Sequence, residues 1–331
     1  MKMKTQSSAT GLAIPTTRLG FIGLGLMGSR LSARLHAAGW QVQTWNRSPR
    51  KPGLAADQEL PRAASLADLC STSDVLLSCL ANDAAVEQVY LGDGGVLNSA
   101  RKGSIVLEMS TISWKLSEQL HHEAAQRGLR MLDLPISGST PAVEAGSVTL
   151  LAGGDQATFD ACTPIFESIA RQWFLLGPGG SGAKMKLVVN LLLGVGMAAV
   201  AEAISLGQHL QLQPGFLLDV LSQTAVIAPA FRGKFNKISS GDYSPEFSVR
   251  LMSKDLDLVA DAAAVAGAEL PLAVAAKKLY AACADSIGDL DLSAITPKVA
   301  PGVLASQVPS DGSGTAESAA QAHTESILSA T

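Results

Sequence analysis

A glycine-rich turn directly after an apolar strand constrains the fold of this chain more than any other feature. Residues 19–23 are typical of a β-strand, and Gly23-Leu-Gly25-Leu-Met-Gly28 joins them to a helical pattern that runs to about residue 38. In that position the glycines allow the backbone to approach a pyrophosphate, and the helix N-terminus offers N–H donors and positive potential. The turn therefore predicts a dinucleotide site, with an ordinary strand-to-helix turn as the alternative.

Strands and helices alternate through the first half of the chain. Further strands are predicted at residues 40–45, 74–80, 103–108, 129–134 and 148–152, with helices between them. Strands that are apolar on both faces indicate a parallel sheet covered by helices on both sides. After residue 180 the strand pattern stops, and one long helix at 183–210 precedes shorter helices that continue to about residue 290.

These patterns predict the α/β fold class with two domains. A Rossmann-type doubly wound parallel sheet domain at 18–180 is followed by an all-α domain at 181–298, and a long interdomain helix joins them. The composition of residues 1–17 and 299–331 is typical of flexible ends.

Charge and composition narrow the function classes. The formal net charge is −4 and no long basic run occurs, so nucleic-acid binding is not expected. The four cysteines form no CxxC pair, which favours reduced thiols and a cytoplasmic location. Residues 187–206 are apolar enough to raise the question of a membrane helix, but Asn190 and Glu202 favour burial in protein. His121 and His122 are adjacent and no HExxH pattern occurs, so no metal is expected.

The end of the second predicted strand indicates which dinucleotide binds. An NAD site usually offers Asp or Glu there to accept a hydrogen bond from the ribose 2′-hydroxyl, whereas this chain has Asn46, Arg47 and Ser48. A neutral residue does not repel a 2′-phosphate, Arg47 can bind it through two hydrogen bonds, and Ser48 can add a hydroxyl donor. Arg50 and Lys51 can help, although exposed bases are as often only solvated. The sequence therefore predicts NADP in preference to NAD.

Five motifs give the chain a family resemblance. They are residues 19–48, EMST at 108–111, DLPISGS at 133–139 with GSVTLLAGG at 146–154, GSGAKMKLVVN at 180–190, and PEFSVRLMSKDLDL at 245–258. With these motifs the chain resembles the β-hydroxyacid dehydrogenases, the family of 3-hydroxyisobutyrate dehydrogenase and tartronate semialdehyde reductase. The run SGS-x-PA and the sequence GAKMKLVVN are most similar to the glyoxylate/succinic semialdehyde reductase subgroup.

The resemblance implies a set of site residues. It implies that Lys186 and Asn190 are catalytic, and that the substrate is bound by Ser137, Gly138, Ser139, Thr111, Phe247 and Asp255. It implies cofactor contacts from Gly23, Gly25, Leu26, Met27, Gly28, Asn46, Arg47, Ser48, Leu80, Thr111 and Lys254.

Chemistry supports the assignment of Lys186. Hydride transfer to a carbonyl leaves negative charge on oxygen, so the site needs a donor that polarises the carbonyl and then protonates the alkoxide. Asn190 is four residues after Lys186 and so lies on the same helix face, whereas Lys184 lies off that face. A lysine near a helix start is otherwise more often simply exposed. On the loop after a strand, Ser137 with the N–H groups of Gly138 and Ser139 can grip a substrate carboxylate.

The chain departs from the family pattern at three places. Glu108 stands where the family usually has Asp, Leu134 replaces a small residue before Pro135, and residues 81–83 lack a proline that relatives often carry. These changes concern the contact with the nicotinamide ribose and not the catalytic group.

The expected function is NADPH-dependent reduction of a small aldehyde acid of the glyoxylate or succinic semialdehyde type, or the reverse oxidation. The alternatives are 3-hydroxyisobutyrate dehydrogenase proper, an imine reductase, which usually replaces the lysine, and a non-catalytic NADP-binding scaffold. A 6-phosphogluconate dehydrogenase would need a longer helical domain. The resemblance also implies a homodimer or homotetramer formed through the helical domain.

Overall fold

The computed structural model describes residues 12–48 and 60–302. Most of the two predicted flexible ends, together with Arg50 and Lys51, therefore lies outside the described residues. Eight strands are present there: β1 Arg18–Ile22, β2 Gln41–Trp45, β3 Val75–Ser78, β4 Ile105–Glu108, β5 Arg130–Asp133, β6 Ile136–Ser137, β7 Val148–Gly154 and β8 Ala170–Leu175.

The strands form one twisted sheet in the order β2-β1-β3-β4-β5-β7-β6, with β8 paired to β7. Strands β1 to β5 are parallel, so their carboxyl ends lie along one edge. The register aligns Ser78 with Glu108 and Glu108 with Asp133 at that edge. All three side chains are buried, although they are polar. Ligands of open α/β sheets bind beyond such an edge, and this row therefore forms the floor of the candidate site.

Helices cover the sheet and then form the second half of the chain. In the first half they are α1 Leu26–Ala37, α2 Leu66–Thr72, α3 Asp83–Leu91, α4 Val96–Ser99, α5 Trp114–Gln126, α6 Thr140–Glu144, α7 Gln156–Ala161 and α8 Thr163–Ile169. In the second half they are α9 Ser181–His209, α10 Pro214–Gln223, α11 Pro229–Ser240, α12 Val249–Ala266, α13 Pro271–Ile287 and α14 Thr296–Val299, with a 3₁₀ turn at Leu292–Ile295.

The predicted fold class is confirmed. At the edge of the sheet beyond β5, however, the strands are not all parallel as predicted. Strand β7 runs antiparallel to β5 and to the two-residue β6, so the sheet is mixed there. Strands β6 and β8 were not predicted. For β6 the reason is that Pro135 and the short apolar stretch around residue 136 give no periodic signal. The sequence pattern predicts one helix at 157–169, but the structure divides it in two, since Pro164 and the Cys162 cap begin a new helix.

The apolar side chains form separate cores. Two lie on opposite faces of the sheet: one includes Phe21, Trp40 and Phe166, and the other includes Leu76 and Tyr90. A third core packs α9 to α13 together. Helix α9 also contacts β5, β6 and β7, so its first turns lie against the sheet and its later turns lie within the helical half. The proposed boundary near residue 180 falls at the start of this helix.

Helix α9 is long and apolar enough to cross a membrane, with a mean hydropathy of 2.1 over its most apolar window, of which 39% is buried in the single chain. Its buried side includes Leu187, Met197 and Ile204, which pack within the protein. Length and composition alone do not separate the core helix of a soluble protein from a spanning helix. The packing on that side is what the sequence interpretation expected.

Candidate active site

The glycine turn between β1 and α1 has a different requirement at each glycine. Gly23 has φ of +91°, and a Cβ there would lie 2.4 Å from the Cys79 carbonyl oxygen. At Gly28 an added Cβ would lie 2.0 Å from the carbonyl oxygen of Gly23, so this glycine allows the helix to pack against the strand. At Gly25, by contrast, an added Cβ would meet no atom within 4 Å. The open space beside Gly25 allows a pyrophosphate to approach the protein backbone of the turn.

The N-terminus of α1 is also free to bind an anion. Within the described residues no side chain caps this helix, and its first turn carries no acidic residue. Leu26 and Met27 form that first turn. Exposed N–H groups and the helix dipole favour a phosphate there. The turn therefore fits the pyrophosphate of a dinucleotide.

Asn46 holds the glycine turn to the end of β2. Its Oδ1 accepts a hydrogen bond from the Leu24 N–H at 3.0 Å, and its Nδ2 donates to the Ser48 carbonyl at 2.8 Å. Arg47 is exposed, and its Nη1 donates to Gln88 Oε1 at 2.8 Å. An arginine held beside the turn, with its remaining donors toward solvent, suits a phosphate on the ribose.

Lys186 and Asn190 are buried together in α9, although lysine and asparagine are usually exposed. Asn190 Nδ2 donates to Asp255 Oδ2 at 2.5 Å, and Lys254 Nζ lies 2.7 Å from Asp255 Oδ1. The structure thus places four of the predicted site residues in one cluster between α9 and α12. Removing a polar or charged group from water costs free energy. Such groups are therefore buried only where partners or a function compensate.

Burial lowers the pKa of Lys186 to about 8, with Asp255 opposing and Lys254 adding to that effect. The cause is the loss of solvation of the ammonium form. A lysine with this pKa exchanges its proton near neutral pH, which general acid–base catalysis requires. Lys184, two residues earlier, is half exposed and pairs with Glu118 at 2.6 Å, so the choice between the two lysines is supported by their surroundings.

Lys254 connects the cluster to the sheet. Its Nζ donates to the Thr111 carbonyl at 2.6 Å. Thr111 follows β4, where Ser110 Oγ accepts from the Leu80 N–H at 2.8 Å. The ends of β3 and β4 are therefore joined to each other and, through Lys254, to the helical half. These are the positions at which the sequence resemblance implies cofactor contacts.

Glu108 is fully buried, which the sequence did not indicate. Its Oε1 accepts from the Ser110 N–H at 2.9 Å, and its Oε2 has no hydrogen-bond partner within the described residues. Burial raises the pKa of Glu108 to about 7, and the Asp133 carboxylate adds to the rise while Lys254 opposes it. Glu108 thus supports the loop that carries Ser110 and Thr111.

The structure explains how residues 81–83 form an ordered loop without the proline that relatives often carry. Asn82 caps α3 by accepting from the Ala85 N–H at 2.9 Å, and Asp83 Oδ1 accepts from the Ser113 N–H at 3.0 Å. One helix cap and one hydrogen bond to the N-cap residue of α5 thus stabilise the loop, which lacks the proline. Leu134 is fully buried in the core beneath the site.

The Ser137 loop connects strand β6 to helix α6. Ser137 ends β6, Gly138 has φ of +151°, and Ser139 precedes α6. Only glycine adopts that φ readily, which explains Gly138 by conformation. Helix α9, which carries Lys186, contacts β6 and β7, so the loop begins at a strand that packs against this helix. Phe247 is partly buried beside the helical core.

Two buried carboxylates position these elements, and the sequence interpretation missed both. Asp133 accepts from the Gly180 and Ala183 N–H groups at 2.8 Å each and contacts His121 Nε2 at 2.9 Å, so it fixes the N-terminus of α9. Asp291 pairs with the buried Lys234 at 2.9 Å. Asp133 stands in the quoted motif DLPISGS, but no local pattern shows that its partners lie 47 and 50 residues later.

Two curated relatives are similar over most of this chain. Glyoxylate/succinic semialdehyde reductase 1 of Arabidopsis thaliana is 32% identical over 282 residues, which are 85% of this chain and 98% of that protein. Cytokine-like nuclear factor N-PAC of Homo sapiens is 32% identical over 291 residues, or 87% of this chain. The chain spans only 53% of N-PAC, about half its length.

A solved structure and two family models agree with this likeness. The 3-hydroxyisobutyrate dehydrogenase of Salmonella typhimurium superposes with a TM-score of 0.77 at 29% identity, covering 85% of this chain and 99% of that one. Residues 18–177 match the model for the NAD binding domain of 6-phosphogluconate dehydrogenase. Residues 180–298 match the model for the NAD-binding of NADP-dependent 3-hydroxyisobutyrate dehydrogenase. With the open glycine turn and the buried lysine cluster, these matches show that the chain belongs to the β-hydroxyacid dehydrogenase family.

Proposed function

We propose that this protein catalyses NADPH-dependent reduction of a small aldehyde acid to the hydroxy acid, or the reverse oxidation. The observation that carries the proposal is the buried Lys186, which has a pKa lowered to about 8 and lies one helical turn from Asn190. A solvated surface lysine would be neither buried nor lowered in pKa. The family membership of the chain supports the same class of reaction.

In this proposal Lys186 handles the proton and its neighbours hold it in place. The dinucleotide, when its pyrophosphate is bound at the glycine turn, supplies the hydride from its nicotinamide. The Lys186 ammonium donates a hydrogen bond to the carbonyl oxygen of the substrate and then gives up a proton as that oxygen becomes an alkoxide. In the oxidation direction the neutral amine accepts the hydroxyl proton. Asn190 Oδ1, which has no partner among the described residues, accepts from the ammonium or from that hydroxyl.

The proposed substrate carries a carboxylate and is short. The Ser137 hydroxyl and the N–H groups of Gly138 and Ser139 are the proposed carboxylate contacts, because they lie at the carboxyl edge of the sheet beside α9. The glyoxylate or succinic semialdehyde type is proposed because a relative bearing that name matches over nearly its whole length.

NADPH is proposed in preference to NADH. The support is the neutral Asn46 at the end of β2 and the exposed Arg47 beside it. A carboxylate at the Asn46 position would repel a 2′-phosphate, and Arg47 can attract it. The family model that matches the second half is also described as NADP-dependent.

We also propose a homodimer or homotetramer in the cytoplasm. The support for assembly is an exposed apolar stripe on α9, defined by Val188, Leu192, Leu206 and Leu210, which are 55–70% exposed in the single chain. Exposed apolar side chains at both ends of one helix face are typical of a subunit interface. All four cysteines are free, which agrees with a reducing compartment.

The first test is NADPH oxidation with glyoxylate, succinic semialdehyde, methylmalonate semialdehyde and tartronate semialdehyde, repeated with NADH. Replacing Lys186 by Ala is expected to lower kcat by about 10²–10⁴-fold, the usual contribution of an acid–base group. Lys184→Ala is the matched control, because Lys184 is on the same helix but exposed. It is expected to keep turnover within about twofold of the parent protein, since an exposed ion pair contributes little.

Different outcomes point to different classes. Turnover that survives Lys186→Ala would overturn the assignment of the proton donor. No turnover on any of the four acids, with NADPH still bound in a fluorescence titration, would overturn the proposed activity. Cyclic imines would then be tried, and the non-catalytic scaffold would follow if they too failed.

A further inference from the structure

The Asp255 carboxylate is buried in the centre of the site cluster. It is 1% exposed, and each of its oxygens lies against another polar side chain. Oδ2 accepts from Asn190 Nδ2 at 2.5 Å, and Oδ1 lies 2.7 Å from Lys254 Nζ. The family resemblance implies a substrate contact for Asp255, and the structure adds contacts with these two protein groups.

The first consequence concerns the orientation of the Asn190 amide. An asparagine side chain has one acceptor oxygen and one NH₂ group, and a carboxylate can only accept. The amide must therefore turn its Nδ2 toward Asp255, since the flipped orientation would set two oxygens against each other. Asn190 Oδ1 then points away from Asp255, is fully buried, and has no partner among the described residues. It remains available as an acceptor one helical turn from Lys186.

The second consequence concerns the charge around Lys186. Three titratable groups act on it from the elements packed against it: Asp255 and Lys254 from α12, and Cys79 from the end of β3. Asp255 raises the pKa of Lys186 and Lys254 lowers it, while burial lowers it most. Lys254 is itself held by the Thr111 carbonyl at 2.6 Å, so the two charges of α12 keep a fixed arrangement beside the lysine.

We infer that Asp255 is a positioning residue for the catalytic pair, which fixes the Asn190 amide with its oxygen toward the reacting group and places a negative charge beside Lys186. In this role it acts through these two residues. The inference deepens the proposed function and rests on it for its activity test. Its physical part, the control of Lys186 by Asp255, can be measured without any substrate.

The first experiment measures the pKa of Lys186 directly in the whole protein. Competitive labelling of amines with acetic anhydride between pH 6 and 11, read by mass spectrometry of the Lys186 peptide, gives the fraction of free amine at each pH. Asp255→Asn keeps the size of the side chain but removes its charge. This variant is expected to lower the pKa of Lys186 by on the order of one unit, because an opposite charge at close range has been lost. Asp255→Glu is expected to keep most of the parent value.

The matched control is Asp257→Asn. Asp257 is on the same helix but half exposed, and it pairs with Lys277 at 2.8 Å, away from the cluster. It is expected to leave the Lys186 pKa unchanged. Equal Lys186 pKa values in Asp255→Asn and Asp257→Asn, with both variants shown to be folded by thermal unfolding, would overturn the inference.

The second experiment is the pH profile of reduction. Because Lys186 must be protonated to donate, kcat/KM falls as the pH rises through its pKa. The alkaline limb is expected to move to lower pH in Asp255→Asn by the same amount as in the labelling experiment. A displaced labelling curve with no turnover by the parent protein on any aldehyde acid would count against the proposed function alone. A displaced pH limb without a displaced labelling curve would overturn the positioning role.

Asp255→Ser provides a second route if Asp255→Asn does not fold. It also removes the carboxylate, so the pKa of Lys186 is expected to fall. A rise or an unchanged value would overturn the inference.

Discussion

Two buried side chains of opposite type acquire pKa values near neutral pH for the same reason. Removal from water disfavours the charged form of each, so the pKa of Lys186 falls to about 8 and that of Glu108 rises to about 7. Lys254 acts on both groups, adding to the fall at Lys186 and opposing the rise at Glu108. At the residue scale, the site is defined by burial of ionisable groups more than by unusual residue types.

Glu108 is expected to make stability depend on pH. Its pKa is about 7 in the fold against an ordinary 4.5, so the folded state binds more protons than the unfolded state between these values. Its contribution to the free energy of unfolding is full below pH 4.5 and is lost as the pH rises to about 7. The loss is about 3 kcal/mol, taking about 1.4 kcal/mol for each pKa unit.

Glu108→Gln is therefore expected to remove this slope. Urea unfolding at pH 4.5, 6 and 7.5 measures it as the difference between the parent protein and the variant. The exposed Glu167→Gln is the control and is expected to follow the parent protein at every pH. A constant difference between Glu108→Gln and the parent across this range would contradict the buried, protonated state of Glu108.

At the element scale, the glycines of the strand–turn–helix unit β1–α1 have different roles, one in helix packing and one in ligand binding. Gly28 has the Gly23 carbonyl at 2.0 Å from the position of an added Cβ, whereas Gly25 has open space. Gly28 is therefore a requirement of the fold, whereas Gly25 leaves room for a ligand. The same residue type in one motif has two unrelated physical roles.

Two alanine substitutions are expected to show this difference. Gly28→Ala forces α1 away from β1 and is expected to lower the free energy of unfolding by about 1–3 kcal/mol, as overpacking does. Gly25→Ala is expected to change stability by less than about 1 kcal/mol but to weaken NADPH binding by roughly tenfold or more, because the methyl group takes the space of the pyrophosphate. Thermal unfolding and a fluorescence titration measure the two effects. Equal loss of stability in both variants would contradict the separation.

At the scale of the whole molecule, helix α9 connects the two halves. Its first turn is held by Asp133 at the sheet edge, its buried face carries Lys186 and Asn190, and its later turns pack in the helical core. A single helix thus sets where the proposed catalytic pair lies relative to the glycine turn. The opposite face of the same helix carries the exposed apolar stripe.

Replacing Leu192 by Glu is expected to weaken assembly. Leu192 is 70% exposed in the single chain, and burial of a charge in an apolar interface is unfavourable. Sedimentation velocity is expected to show a dimer or tetramer for the parent protein and a shift toward monomer for the variant. Phe174→Glu, a comparable change on β8, is the control and is expected to leave the mass unchanged. A monomeric parent protein would contradict the proposed assembly.

The sequence by itself determined the class of fold and the position of the cofactor turn. Both depend on local order along the chain: the two-residue and 3.6-residue periodicities, and a glycine spacing directly after a strand. The family motifs also singled out Lys186, Asn190, Lys254 and Asp255. These four assignments depended on the resemblance to the family, because a lysine near a helix start is otherwise more often simply exposed.

Only the tertiary structure decided which groups meet and which are buried. Asp255 contacts Asn190 across 65 residues of chain, and Asp133 caps a helix that begins 48 residues later. The same holds for the antiparallel strand β7, whose direction depends on its partner. Burial and long-range pairing are properties of the packed molecule, because the free energy of a buried charge depends on neighbours that the local sequence does not contain.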